Sequence, residues 1–311
     1  MERNTHTIAP RLIAIDMDGT LLGDTGQVSP RNLAALRAAQ SAGVEVVVAT
    51  GRRHSFALQV LRELDLPSAH ALISSNGTVI RTIGSELLHR SHLSLETARW
   101  LVTYAAEFRS TLVLTFDTVG PDGHDTRGAL VCEHLEELTA AIGRWMNSNR
   151  DYLAQVTPIE DALNDAAPIQ MMLCGPIARM DAAETLLAAH PRIAAVGASE
   201  LPDTEVTLHR TAYPERDLTI LDILPAGCSK ASALARLAAL RGIEMSDVLA
   251  IGDNWNDVPM LEAAGSAVLM ANAPAGLLAL ARQRDWLIAP AHDEDGVAIA
   301  IEEALAIEVR S

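Results

Sequence analysis

The chain is poor in positive charge and almost without lysine. Of its 24 lysine and arginine residues only Lys230 is a lysine, which singles that position out as one needing a compact ammonium rather than a planar guanidinium fork. Set against 40 Asp and Glu, the basic residues leave a formal net charge of -16. That balance excludes the basic face that a nucleic-acid backbone or an anionic membrane requires, so an anionic ligand would need a local patch or a cation. Cysteine is nearly absent too: Cys132, Cys174 and Cys228 are odd in number and widely spaced, which offers neither a disulfide framework nor a Cys-x-x-Cys zinc site. No apolar run approaches the ~18 to 20 residues of a membrane span, and Met1 to Pro10 carries no apolar stretch of signal-peptide length. The expectation is a soluble protein of the reducing cytoplasm, with neither nucleic acid nor membrane as partner. The phosphate cradle Gly-x-x-x-x-Gly-Lys-Ser/Thr does not occur, which excludes a P-loop nucleotide-triphosphatase. Internal repeats and low-complexity tracts are missing as well.

What remains is a globular composition. The 311 residues are 49% hydrophobic and 21% charged, enough for one large domain or two unequal ones. The chain is organised around Leu12-Ile13-Ala14-Ile15, an apolar run that ends in Asp16-Met17-Asp18-Gly19-Thr20. Such a run, bounded by a turn, reads as a buried strand of a parallel sheet. Asp16 and Asp18 then stand at its C-terminal edge, where open α/β sheets place their chemistry. Because side chains alternate along an extended segment, the two carboxylates leave on one side and Met17 on the other. They would repel, so either a divalent cation neutralises them or they divide the work into base and acid.

Further along, Ser29 and Pro30 open a helix that Gly43 closes, and Val44 to Ala49 follow as a β-branched strand. This βαβ unit brings Thr50-Gly51-Arg52 to the edge that holds Asp16. Asn76-Gly77 predicts a hairpin, with Val79 and Ile80 in one arm and Glu86 to Leu88 in the other. From His89 to Asp217 strands and helices lose their simple alternation, which predicts an α+β insert with its own core. Alternation resumes after Leu218, with a strand at Leu221 to Leu224, a helix from Ser229, and a strand at Val248 to Ile251 that delivers Gly252-Asp253-Asn254-Trp255-Asn256-Asp257.

These segments put Asp16 with Asp18, Thr50 with Gly51, Lys230, and Asp253 with Asn256 and Asp257 at three strand ends and one helix start. Carboxylates at two strand ends suit Mg2+, a hard cation that prefers oxygen. A threonine hydroxyl and a glycine amide donate to phosphate oxygens, and a lone ammonium neutralises charge on a group in transfer. Asp16-Met17-Asp18-Gly19-Thr20, Ala49-Thr50-Gly51-Arg52, Lys230 in Leu224-Pro225-Ala226-Gly227-Cys228-Ser229-Lys230, and Gly252-Asp253-x-x-Asn256-Asp257, in this order, resemble the four motifs of the haloacid dehalogenase superfamily, in detail its Cof-type phosphatases. Asn76-Gly77, Val268 to Ala273 and Asp295-Gly296-Val297-Ala298 are further echoes, with Ala271 where the family usually has glycine.

The resemblance implies an α/β fold: a Rossmann-like parallel-sheet core over 1–88 and 218–311, with an α+β cap of the large, type-2 kind inserted at 89–217. It implies a Mg2+-dependent phosphatase of small phosphorylated metabolites, sugar phosphates or related compounds. Asp16 would be the nucleophile that forms an aspartyl-phosphate, and Asp18 the acid and then the base. Asp16, the Asp18 carbonyl and Asp253 would hold the metal, with Asp257 close behind. The Met17 amide, Thr50, Gly51, Lys230 and Asn256 would bind the phosphoryl group, and Thr20 and Arg52 would support the loops. A phosphomutase is the second reading. A phospho-accepting receiver domain is the third, disfavoured because a lasting phosphoprotein gains nothing from Asp18. His89 and His92 have no third ligand near them in sequence and read as a polar approach to the cap. His124 and Asp125 are candidates for contact with substrate. Trp255 could flank the substrate entrance, whereas Trp100, Trp145 and Trp286 fit packing positions.

Overall fold

The computed structural model describes residues 9–196 and 202–306. The chain divides into two compact units, Met1–Gly84 with Lys230–Ser311, and Ser85–Ser229. The first segment carries β1 (Leu12–Asp16), α1 (Pro30–Ser41), β2 (Glu45–Ala49), α2 (His54–Leu61), β3 (Ala71–Ser74) and β4 (Val79–Thr82). The inserted segment carries β5 (Leu87–Arg90), α3 (Leu95–Tyr104), β6 (Leu112–Thr115), β7 (Leu130–Cys132), α4 (Leu135–Ser148), β8 (Leu153–Gln155), β9 (Gln170–Gly175), α5 (Ile177–Ala188), β10 (Ile193–Ala195), β11 (Val206–Tyr213) and β12 (Leu218–Pro225). The last segment carries α6 (Lys230–Arg241), β13 (Val248–Gly252), α7 (Val258–Ala263), β14 (Ser266–Met270), α8 (Ala275–Gln283), β15 (Leu287–Ala289) and α9 (Gly296–Ala306).

In the first unit the strands lie in the order β15-β14-β13-β1-β2-β3-β4. All neighbours are parallel except β3 and β4. This is a Rossmann-like α/β core. Every residue of β1 is buried, as expected for a parallel strand covered on both faces. Ile13 and Ile15 pack with Leu36 of α1, Leu61 of α2, and Val297 and Ile301 of α9. Each such side chain contributes about 1.5–3 kcal/mol through burial, so the apolar run alone is enough to hold β1 centrally. The register pairs Ala14 with Val47 and with Ala250. Helix α1 begins as its sequence signals require: the Ser29 hydroxyl accepts from the Asn32 amide at 3.0 Å with Pro30 behind it, and Gly43 follows at φ +81°.

The Asn76-Gly77 turn connects β3 to β4, with Ser74 opposite Val79, a pairing beyond the one its sequence suggests. Ser75, Asn76 and Gly77 take φ values of +48°, +53° and +97°, and this run of left-handed residues reverses the chain within four positions.

The inserted unit has a largely antiparallel sheet in the order β10-β11-β12-β9-β6-β7-β8. One face packs Leu114, Leu173, Leu208, Leu221 and Ile223 against Leu101 of α3 and Met180 of α5. The other packs Val113, Cys132 and Cys174 against Leu138, Ile142 and Met146 of α4. The segment 221–224, expected to open the second half of the core, belongs here instead. Leu218–Pro225 pairs antiparallel with both β11 and β9, because the turn at 214–217 ends in Asp217 at φ +45° and folds the chain straight back. The division therefore falls at Gly84/Ser85 and Ser229/Lys230, not at 88/89 and 217/218. Strand β8 was not foreseen, its three residues being too short to show alternation.

Candidate active site

Adjacent parallel strands β1 and β13 bring their ends together. Past β1 the chain turns tightly, with the Leu21 amide donating to the Asp16 carbonyl at 3.2 Å and that of Leu22 to the Met17 carbonyl at 2.9 Å. Gly19 is required in this turn. Its φ is +78°, and a Cβ there would stand 2.4 Å from Asp253 Oδ2. Past β13, Asp257 Oδ2 accepts from the Asp253 and Asn254 amides, each at 3.1 Å. This belongs to a capping box with Asn254, and it fixes the loop that carries Asp253. Asn256 lies half-buried in the same turn.

Lys230, at the first turn of α6, is 1% exposed and is among the largest fully buried side chains. Its ammonium donates to Asp16 Oδ1 and, at 2.7 Å, to Asp257 Oδ1. Asp16, Asp253 and Asp257 are all buried, and each offers an oxygen within 4.8 Å of the others'. The electrostatics follow from this crowding. Burial pushes the Asp16 carboxyl well up and Asp257 adds to the rise, while Lys230 opposes it. Burial and Asp257 likewise push Asp253 up to about 7, against the Thr20 hydrogen bond and Lys230. Burial works against the Lys230 charge, but Asp16 and Asp257 outweigh it and raise the lysine above its ordinary value.

Around this cluster, the Thr20 hydroxyl donates to Asp253 Oδ1 at 3.0 Å. Thr50 is buried, and its hydroxyl oxygen accepts from the Arg52 amide at 3.1 Å, which leaves the hydroxyl proton to be donated elsewhere. Gly51 is crowded on one side, since a Cβ there would lie 3.0 Å from Asn76 Oδ1. The Asp18 carboxylate stands apart from the three buried acids. Its two oxygens accept from Arg52 Nε at 2.8 Å and Nη2 at 2.5 Å, so the buried carboxylate group combines Asp257, rather than the Asp18 side chain, with Asp16 and Asp253.

Asn272 joins the site without having been assigned a role. Its amide donates to the Gly19 carbonyl at 2.8 Å and to Asp253 Oδ2 at 3.4 Å, and its oxygen accepts from the His292 amide at 3.1 Å. The signal was present in Val268 to Ala273, but which side chain reached the site was not. Trp255 is 48% exposed, beside Gly276, where a Cβ would come within 3.3 Å of its ring. His89, His92, His124 and Asp125 belong to the inserted unit, where His89 meets Ser91 and Asp125 accepts from Thr118.

The model of the haloacid dehalogenase-like hydrolase family matches residues 13–301. The chain belongs to that family. Among its haloacid dehalogenase-like relatives, phosphatase YwpJ of Bacillus subtilis is 31% identical over 313 residues, covering 95% of this chain and 100% of that protein. The 5-amino-6-(5-phospho-D-ribitylamino)uracil phosphatase YwtE of the same organism is 27% identical over 307 residues, covering 95% and 98%. A solved haloacid dehalogenase-like hydrolase from Bacteroides thetaiotaomicron superposes with a TM-score of 0.72 at 25% identity, covering 94% of this chain and 99% of that one. The protein is accordingly an enzyme of the phosphoric-monoester hydrolase type within this family. Among the described residues no helix is long and apolar enough to cross a membrane.

Proposed function

We propose that this haloacid dehalogenase-like hydrolase is a Mg2+-dependent phosphatase that cleaves small phosphorylated metabolites through an aspartyl-phosphate on Asp16. The observation that carries the reading is the buried group of Lys230, Asp16, Asp253 and Asp257 at the ends of β1 and β13. Three carboxylates and one ammonium in so small a space carry excess negative charge. The donor set, all carboxylate oxygens, fits a hard divalent cation. Asp16 and Asp253 would hold it with the Asp18 carbonyl, and Asp257 lies close enough to join them. When bound, Mg2+ supplies charge neutralisation between the attacking carboxylate and the phosphoryl oxygens.

The chain's own residues account for the rest. An Asp16 oxygen attacks phosphorus, the bond from phosphorus to the ester oxygen breaks, and Asp18 gives its proton to the departing alkoxide. Asp18, now ionised, takes a proton from water, whose oxygen attacks the acyl phosphate and frees Asp16 and inorganic phosphate. The Met17 and Gly51 amides, the Thr50 hydroxyl, the Lys230 ammonium and the Asn256 amide would bind the phosphoryl oxygens and meet the charge that builds there. Thr20 holds Asp253 in place.

The substrate class proposed is the phosphate ester of a small hydroxylated metabolite, in keeping with the ribityl phosphate named for YwtE. Release of inorganic phosphate from sugar phosphates, nucleotides and flavin and pyridoxal phosphates tests the reading. Multiple turnovers that stop with a chelator and return with Mg2+ are expected. Asp16→Asn should abolish turnover with the fold intact, since an amide is no nucleophile; turnover near wild type in that variant would sink the mechanism. Transfer of phosphate back to a sugar would favour the phosphomutase reading, and a stable phosphoprotein without turnover the receiver reading.

A further inference from the structure

We infer that Arg52 is a positioning residue for Asp18, its guanidinium being held so as to aim the carboxylate that serves as acid and base. The inference rests on the phosphatase reading and extends it. Asp18 follows Asp16 out of the strand into a turn, and its side chain is 55% exposed. No partner for its carboxylate other than Arg52 is found among the described residues. Both of its oxygens meet the guanidinium fork, one at Nε and one at Nη2. Two parallel bonds fix the plane of a carboxylate as well as its place, which a single ammonium cannot do. An ion pair this exposed adds little to stability, so what it contributes is orientation.

Arg52 is in turn fixed from several directions. Its amide donates to Thr50 Oγ1 at 3.1 Å, and its carbonyl accepts from the Ser75 amide at 2.8 Å. The neighbouring Thr50 carbonyl accepts from the Asn76 amide at 3.1 Å. Ser75 and Asn76 are buried residues held at positive φ. Backbone kept in that region by its surroundings is often found where a site demands a set geometry. The guanidinium carbon lies 5.0 Å from the centre of the Phe56 ring, a cation-π contact one helical turn along the chain. The strained turn and the aromatic ring thus form a shelf from which the guanidinium reaches Asp18.

The test is a double-mutant cycle on Arg52→Met and Asp18→Asn, with p-nitrophenyl phosphate and a sugar phosphate as substrates. Arg52→Met should lower kcat at least tenfold with KM changed less than threefold. The loss should be larger on the sugar phosphate, whose leaving oxygen needs a proton more than p-nitrophenolate does. In the Asp18→Asn background the same substitution should cost less than twofold, because the group it positions is already disabled. Arg52→Lys, which keeps the charge but not the fork, should fall between wild type and Arg52→Met. An equal loss in both backgrounds, or a loss carried by KM, would show that Arg52 acts on the ester or the fold directly and would overturn the inference. Wild-type protein that hydrolyses neither ester would overturn the phosphatase reading and this inference with it. An active wild type with an additive cycle would overturn the positioning role alone.

Discussion

Lys230→Met should weaken the fold strongly. Methionine nearly matches lysine in length and can fill the same volume, but it removes the one ammonium among Asp16, Asp253 and Asp257. Lys230 is 1% exposed and its two partners are 8% and 0% exposed in their side chains, so solvent cannot replace it. Breaking a buried ion pair by removing one partner costs about 3–5 kcal/mol, a large part of the 5–15 kcal/mol that typically stabilises a protein. The cost should depend on pH. With burial already driving Asp16 and Asp253 toward the neutral acid, the variant can take up protons at pH 5 but must bury bare charge at pH 8. Urea unfolding in EDTA, followed by circular dichroism, should show a deficit of about 3–5 kcal/mol at pH 8 that is smaller at pH 5 and smaller again when Mg2+ replaces EDTA. A deficit below about 1 kcal/mol at pH 8 without metal would refute the claim that Lys230 offsets a buried negative cluster.

Lys230→Arg keeps the charge but offers a fork where a point charge reaches two carboxylates, and phosphate-ester turnover should fall at least tenfold, about 1.4 kcal/mol in the barrier; unchanged kinetics would make the solitary lysine an accident of composition. Gly19→Ala places a methyl 2.4 Å from Asp253 Oδ2 at a φ of +78°, so Asp253 must shift, and the Mg2+ concentration for half-maximal activity should rise severalfold while KM for the ester moves less. For wild type in EDTA, Asp253 has a folded pKa of about 7 against an ordinary value of 3.8. The folded state therefore binds the proton more tightly than the unfolded one, and this contribution is complete below about 4 and lost as pH rises to about 7. Urea midpoints should fall across that window, and Mg2+, which needs the ionised carboxylate, should flatten the fall; a profile that rises from pH 4 to 7 in EDTA would contradict the assigned shift.

The site was legible where its signal is local. An apolar run that ends in Asp-x-Asp, a Thr-Gly-Arg after the next strand and a lone lysine before a helix need only the two-residue and 3.6-residue periods to be placed. Strand β12 was misplaced for a physical reason: Leu221 to Leu224 is as apolar as a core strand, and nothing local distinguishes a partner in one sheet from a partner in the other. The Asn76-Gly77 turn was legible, but the pairing of Ala71–Ser74 with Val79–Thr82 across it was not, since alternation along a strand does not name its neighbour. Asn272 had a motif around it, yet its contact with Gly19 spans 253 positions of sequence.

By itself, then, the sequence determined at which ends of which elements the candidate residues stand, because hydrophobic runs and turn residues act over a few positions. Tertiary structure alone decided how those residues meet. The order β13-β1-β2 puts Lys230 on Asp16 across 214 positions and on Asp257. The Asp18 carboxylate stands outside the buried group, on a guanidinium shelved by Phe56 and by the turn at Ser75 and Asn76. Charges pair according to distance and burial, and both are properties of the assembled sheet rather than of any single stretch of chain.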